Sequence, residues 1–558
     1  MALFSWGGKA AAKVDGGSSG PGVAAAEVKA AAPASSGGAL GQTHMVHCAV
    51  ANRPTAPATW FGDRKHSWRD MAERVARMGR ALQDLGVQPG DRVAILALNS
   101  DRYTEYLFAT WWIGAVVVPM NIRWSVAENA YSLNDSGAKV VFVDKAFSAA
   151  APAIQAETQE KLTLIYLDDD AAPEGMLQYE TLIDKSDAAE DVCPGGEALA
   201  GLYYTGGTTG FPKGVMVPHR ALMYNNMVMA KHGELRPDSV HLHAAPMFHM
   251  ADGAAGGGIS MVGGTHAYIP AFTPAGTIDA LERYEVTSTI LVPTMLGLMV
   301  NDPAFDPSRF GKVEYITYGG SPMPEGLMRT LIEKLPHVRF IQGYGQTELA
   351  PLVSMLGPDD HMVDGPKAAR LRSAGTPVVG TRINIVDEDG KVLPDGEVGE
   401  IAALSEGAML GYWNKPEETA KAFRNGWVHT GDGGYRDEDG FIFIVDRMKD
   451  MIVTGGENVF SVEVESVISK MPGVAQVAVV GIPSEKWGEA VHAIVVPAEG
   501  AALTEQQVID FVGPQIANYK RPRSVDFRSE PLPMSGAGKI LKRDLRAPYW
   551  EGRGKQVS

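Results

Sequence analysis

Three apolar runs limit the architectures open to this chain. "GDRVAIL" (90–96), "AKVVFVD" (138–144) and "LTLIYLD" (162–168) read as short strands, with helical segments between them. A sheet with one wet face would alternate polar and apolar residues. Near-continuous runs belong instead to a parallel sheet covered on both faces. The helical pattern is equally direct. "SWRDMAERVARMGRALQDLG" puts Val75, Met78, Leu82 and Leu85 at helical spacing, opens on a capping box of Ser67 and Asp70, and stops at Gly86. The longest apolar run, "LFATWWIGAVVVPM" (107–120), is too short to span a bilayer and reads as a buried helix running into a strand.

After about residue 375 the texture changes. "TRINIVDEDGKVL", "GEIAAL" and "GFIFIVD" are short strands joined by tight turns, with Asp-Gly hairpin signals at 389–390 and 439–440. Beyond Arg447 a smaller α+β unit follows. "SVEVESVISKMP" and "TEQQVIDFVGPQIA" read as helices, "AQVAVVGI" and "AVHAIVV" as strands. A chain of 558 residues exceeds one typical domain. The expected division is a tail over 1–42, a large domain over 43–446 and a small one over 447–558.

The tail is rich in Ala, Gly and Ser and has few large apolar residues to offset the entropy of ordering, so it is expected to be mobile. His44, His47 and Cys48 form a sparse cluster with no second set at metal-site spacing, and read as a surface segment or a first strand. A net charge of −16 argues against nucleic acid as the main partner and against docking on anionic lipid. The two cysteines, Cys48 and Cys193, cannot build a disulfide framework and point to a reducing, cytoplasmic setting.

The chemistry concentrates in four segments. "YYTGGTTGFPKG" (203–214) lies between two strand-like stretches, "ALAGLYY" and "GVMVPH". Its glycines let backbone N–H groups turn toward an anion, Thr205, Thr208 and Thr209 add hydroxyls, and Lys213 adds charge. It is not the P-loop of ordinary NTPases: Pro212 stands before the lysine and Gly214 after it. In "QGYGQTE" (342–348), Tyr344 offers a flat face for a base and Glu348 a hard oxygen for Mg²⁺. In "GWVHTGDGG" (426–434), Asp432 is a candidate acceptor for ribose hydroxyls. "DRMKDMIVTGGENV" (446–459) is followed far downstream by "PMSGAGKILKRDLR" (533–546).

In this order the four segments resemble the adenylate-forming superfamily, which holds acyl-CoA synthetases, peptide-synthetase adenylation domains and firefly-type luciferases. The resemblance covers about 45–550. "YITYGGSPMP", "GYWNKPEETAKAF" and "VVGIPSEKWGE" are similar to bacterial fatty-acyl and aryl-acyl CoA ligases. It implies an α/β fold with a large N-terminal domain of stacked α/β sheets, a small distorted β-barrel, and a smaller mobile α+β C-terminal domain. It implies ATP and Mg²⁺ as cofactors and coenzyme A as co-substrate. The acid attacks the α-phosphorus of ATP, pyrophosphate leaves, and a thiol then displaces AMP.

Carried onto this sequence, the resemblance assigns Thr205, Gly207, Thr208, Thr209 and Lys213 to the phosphates. Gly320 and Tyr344 go to adenine, Thr347 to the α-phosphate, Glu348 to the metal, and Asp432 and Arg447 to the ribose. Lys539 is implied to bridge carboxylate and α-phosphate. Lys449 is implied as the pivot of the C-terminal domain, which also delivers Gly455, Gly456 and Asn458 to a thiol channel. His249, in "APMFHMADGAAGGG" (245–258), is implied near the substrate carboxylate. Two departures stand out: Gly206 where relatives often carry Ser, and "SGAGK" in place of Thr-Pro-Thr-Gly-Lys.

The glycines of 253–258, and Gly345 where acetate-specific relatives carry Trp, predict an open pocket for medium or long-chain, aryl or alicyclic acids. Alternatives are an acyl-AMP ligase that loads a separate carrier protein, and a non-catalytic acyl- or nucleotide-binding protein. Retention of Glu348, Asp432, Arg447 and Lys539 weighs against the latter. The G-x-S-x-G match at Gly16–Gly20 lies in the Ala/Gly/Ser-rich tail and not between a strand and a helix, so a serine esterase is not competitive. A homodimer is carried as an open expectation.

Overall fold

A computed structural model describes residues 39–205, 212–534 and 540–551, without the side chain of Lys449. The apolar runs lie where their composition sends them. Arg92–Leu96, Val116–Pro119, Val140–Val143 and Thr163–Tyr166 pair in parallel within an eight-stranded sheet, and apart from the ends Arg92, Thr163 and Leu164 their residues are buried. Helix Trp68–Asp84 is opened by the reciprocal Ser67–Asp70 capping box and buries Met71, Val75, Met78 and Leu82. Such a cap contributes about 1 kcal/mol. Helix Asp101–Trp112 leads into strand Val116–Pro119, as the longest apolar run predicts.

A second, nine-stranded sheet carries Val240–His243, Thr265–Tyr268, Ser288–Leu291, Tyr315–Gly319 and Arg339–Gly345 in parallel register. The Asp-Gly-rich region forms an antiparallel five-stranded sheet, where Arg382–Val386, Gly399–Leu404, Trp427–Arg436 and Ile442–Arg447 follow one another through pairing. Gly390 and Gly440 take the left-handed φ of 79° and 86° that these turns require. The last sheet contains Val474–Ser484 and Gly488–Pro497, with helices Ser461–Ile468 and Glu505–Val512 burying Val464, Ile468, Val508 and Val512 against it.

Two local expectations are corrected. The segment around His44–Cys48 is not a first strand: it lies in helix Thr43–Asn52, which buries Met45, Val46 and Ala49 and leaves His47 and Cys48 on the surface. The end of the expected tail is also packed. Gln42 is buried, its amide donates to His219 Nδ1 (3.3 Å), and its side chain accepts from Asn226 Nδ2 (2.9 Å).

Candidate active site

Strands Leu199–Thr205 and Lys213–Pro218 form a hairpin that sets Thr205 opposite Lys213. Gly207, Thr208 and Thr209 fall between them, outside the described residues. Lys213 is held on both sides. Its ammonium donates to Glu418 (3.2 Å) and sits 4.5 Å from the centre of the Tyr412 ring. The Tyr412 hydroxyl in turn donates to Glu348 Oε1 (2.8 Å). Burial and the neighbouring Glu348 carboxylate push the Tyr412 phenol well above its ordinary pKa, so it stays a donor. Tyr412 and Glu418 were quoted within "GYWNKPEETAKAF" for its likeness, without a role; the contacts with Lys213 and Glu348 show what the segment positions.

A second chain of contacts joins the other segments. Strand Arg339–Gly345 carries Tyr344 next to its end, and the buried hydroxyl of Tyr344 donates to Asp432 Oδ2 (2.9 Å). Arg447 Nε lies 3.2 Å from Asp432 Oδ1, because strands Trp427–Arg436 and Ile442–Arg447 place these residues directly across from each other. Arg447 also feels the charges of Asp450 and Glu348, which together with Asp432 outweigh burial and raise its pKa. Glu348 therefore touches one chain and acts electrostatically on the other. Gly320 follows strand Tyr315–Gly319 with φ of 78°, beside the register pair Gly319–Gly343, where a Cβ on Gly319 would lie 2.3 Å from the Gly343 carbonyl oxygen. Thr347 opens the short turn Thr347–Leu349 that presents Glu348.

The C-terminal residues divide. Lys449 lies in the turn Met448–Asp450, its side chain undescribed, and Lys539 is outside the described residues. Gly455 and Gly456 make the turn between strands Ile452–Thr454 and Glu457–Val459 with φ of 62° and 86°, and Asn458 is exposed. Lys542, from the same "GKILKR" run, is held in the interior: it donates to Ser461 Oγ (2.5 Å) and pairs with Glu465 (2.8 Å). Asp446 Oδ2 accepts from the Ser461 amide (2.6 Å), so this network reaches back to the last strand of the preceding sheet.

Residues between Gln42 and His266 line a cavity of about 640 Å³, counting its solvent-open part. Helix Met250–Val262 supplies Gly253, Gly256, Gly257 and Ser260 along one face. Helix Asp101–Trp112 faces them with Leu107, Phe108 and Trp111, and Leu222 and Met247 add apolar wall. Gly258 is no part of the wall: a Cβ there would press on Met229 and Leu235. His249 caps the helix, its Nδ1 accepting from the Ala251 amide (3.2 Å), and stands between the lining residues Met247 and Met250 without lining the cavity itself.

Gly345 is corrected more sharply. It does not line the cavity, and a Cβ on it would lie 1.7 Å from the Pro351 carbonyl oxygen. Backbone, not open tunnel, demands that glycine. Sequence reasoning also missed a buried polar relay on the cavity wall. His243 Nδ1 pairs with Asp252 Oδ2 (2.7 Å), His243 Nε2 with His266 Nδ1 (3.0 Å), and His266 Nε2 with Ser260 Oγ (2.9 Å). The signal available was the strand "VHLH" (240–243), whose two histidines sit in an otherwise apolar setting.

The AMP-binding enzyme family matches residues 46–413, and the AMP-binding enzyme C-terminal domain matches 463–539. The chain is 37% identical over 505 residues to feruloyl-CoA synthase from Amycolatopsis sp, covering 89% of this chain and 96% of the relative. It is 34% identical to the fatty acid–[acyl-carrier-protein] ligase ScoC of Streptomyces coeruleorubidus, covering 93% and 98%. The crystal structure of ATP-bound MatB from Rhodopseudomonas palustris superposes with a TM-score of 0.82 at 29% identity, over 91% of this chain and 99% of that one.

Proposed function

The chain belongs to the AMP-binding enzyme family, as an AMP-forming acid–thiol ligase of the acyl-CoA synthetase branch, and on that premise we propose how its residues divide the work. The supporting observation is the meeting of distant segments: Lys213, Tyr412 and Glu348 in one chain of contacts, Tyr344, Asp432 and Arg447 in the other. Lys213 and the hydroxyl of Thr205 receive the β- and γ-phosphates of ATP. Asp432 and Arg447 clamp the ribose, and Tyr344 backs the adenine. Glu348 offers the oxygen that Mg²⁺ takes, and the ion, when bound, offsets phosphate charge.

The first step needs little proton transfer. A carboxylate oxygen bonds to the α-phosphorus as the bond to the bridging pyrophosphate oxygen breaks. Orientation and fixed charge carry such a step. Lys539 supplies charge to it. In the second step a thiol sulfur bonds to the acyl carbon, AMP leaves with the C–O electron pair, and the thiol proton is lost to solvent. The C-terminal unit turns about Lys449 between the steps and brings Gly455–Asn458 to the thiol. The acid occupies the cavity along helix Met250–Val262, and its apolar walls and the open space beside Gly253 admit aryl, alicyclic or medium and long-chain acids. Cys48 and Cys193 form no disulfide, which fits a cytoplasmic setting, and no helix among the described residues is long and apolar enough to cross a membrane.

Pyrophosphate release, measured over a panel of acids with and without coenzyme A, tests this reading. Lys539→Ala should slow adenylation by about 10²–10³-fold while sparing thioester formation from supplied acyl-adenylate. Equal loss in both half-reactions removes Lys539 from the role. A second reading, transfer to a carrier protein, is favoured by the likeness to the carrier-protein ligase. It predicts faster acyl transfer to phosphopantetheinylated carrier than to free coenzyme A.

A further inference from the structure

A mixed donor cluster uses no residue of the nucleotide corner or of the acyl cavity wall. Helix Thr43–Asn52 leaves His47 exposed, and the segment ahead of strand Leu199–Thr205 supplies Asp191 and Cys193. His47 Nε2 stands 2.7 Å from Asp191 Oδ2, and one donor atom from each of the three residues lies within 4.8 Å of the others. Asp191 has only 5% of its side chain exposed, while His47 keeps 49% and opens the cluster to solvent. Trp112 braces both sides. Its indole donates to the Ala189 carbonyl (3.0 Å), its own carbonyl accepts from the Val192 amide (3.0 Å), and the His47 ring rests beside it with centroids 4.9 Å apart. Cys193 holds a left-handed φ of 47°, a conformation that residues with a Cβ adopt rarely and that gathers at functional sites.

We propose that His47, Asp191 and Cys193 bind a thiophilic divalent cation such as Zn²⁺. Nitrogen, oxygen and sulfur are the donors Zn²⁺ takes, at about 2.0–2.3 Å. Around such an ion the donors stand about 3.3–3.6 Å apart, so His47 and Asp191 need part by less than about 1 Å. The half-exposed imidazole supplies that movement. Mg²⁺ prefers oxygen alone, so this cluster and Glu348 draw on different metals. Without a cation, burial and the Asp191 carboxylate push the Cys193 thiol up to about 11. An ion that binds takes the sulfur as thiolate, and the displaced proton passes to solvent. Three protein donors leave a fourth position to water. The ion ties helix Thr43–Asn52 to the segment that feeds the hairpin of Thr205 and Lys213. The donors that complete the sparse set around His47 lie 144 residues away and beyond, where spacing could not show them.

The test is titration of the untagged, chelator-treated full chain with Zn²⁺ and with Co²⁺, in excess Mg²⁺ and without ATP. One equivalent of Zn²⁺ should bind with a Kd of about 1 μM or tighter and should raise Tm. Co²⁺ should give the near-ultraviolet charge-transfer band of a cobalt–thiolate bond. Cys193→Ser should abolish that band, and Cys193→Ser and His47→Ala should each weaken Zn²⁺ binding by at least about tenfold to a hundredfold. Cys48→Ser, which removes the exposed thiol next to His47, should change neither the band nor the affinity. Failure to bind one equivalent overturns the proposal, and so does binding without the band. A band that Cys48→Ser removes and Cys193→Ser spares overturns it as well.

Discussion

The nucleotide corner and the acyl cavity are built on opposite terms. Around Lys213, Glu348 and Asp432, charged groups already hold one another: Glu418 and the Tyr412 ring take Lys213, Tyr412 takes Glu348, Tyr344 and Arg447 take Asp432. In the cavity, Asp252 Oδ1 and Gln42 Nε2 are buried without a partner among the described residues. In the first region the described charges satisfy one another; in the second, two buried polar atoms do not.

The largest effect that would sharpen this contrast is in the corner. Asp432→Ala removes the acceptor that orients both Tyr344 and Arg447. Adenylation of every acid should fall by about 10²-fold, and equally, when kcat/KM for ATP is measured. A loss confined to some acids would erase the distinction between the two regions. Gly256→Leu attacks the other side. Its side chain would fill the cavity beside His243, so activity on bulky or long acids should drop by about tenfold or more relative to propionate, with the KM for ATP held. An unchanged ratio of long to short acids would move the acyl site elsewhere.

Acid should reveal the relay and its neighbours next. Burial lowers the pKa of His219 to about 3, from 6.5. The unfolded chain therefore binds a proton that the folded chain refuses between these values. Stability from this group is fully present above pH 6.5 and is lost as pH falls toward 3, by about 2 kcal/mol at pH 5. His241 and His266 shift in the same direction. Urea unfolding at pH 7 and pH 5 should show that fall, and His219→Gln should flatten it; an identical slope in the variant would assign the acid sensitivity to other groups. The smallest effect belongs to the tail. Removing residues 1–38 should alter turnover by less than about twofold, since their composition supplies little to pack. A truncation to 38 that lowers Tm sharply would show that the tail docks.

Legibility followed contiguity. The corner could be read because each contributor sits in a short run whose residue types state their chemistry: Gly, Thr and Lys for an anion, Tyr, Glu and Asp for a nucleotide and its metal. The parallel sheet was readable too, since Val93, Val117 and Val141 lie in runs that only a doubly covered sheet accepts. The cavity was not. Its wall gathers Gln42, Leu107, Asn226, His243, Asp252 and His266 from separate helices and strands. Spacing along the chain carries no trace of that convergence. Gly345 shows the reverse error: an absent side chain was read as free space, yet the Pro351 backbone occupies it. Lys542 shows a third, since a lysine among lysines gave no sign that Glu465 would bury it.

The Asp446–Ser461 bonds have a further consequence. They join a residue before Lys449 to a residue after it, and Lys542 and Glu465 extend the join into the last helix. The rotation about Lys449 proposed above would either carry this knot along or untie it. If it unties, the bonds weigh one pose against the other, and the share of time spent in each half-reaction becomes an equilibrium that a single serine can tilt. A difference of about 1.4 kcal/mol shifts such a ratio tenfold. Ser461→Ala would then favour the pose this structure does not show, and the enzyme's tempo would be set far from either substrate, by how firmly one carboxylate grips the start of one helix.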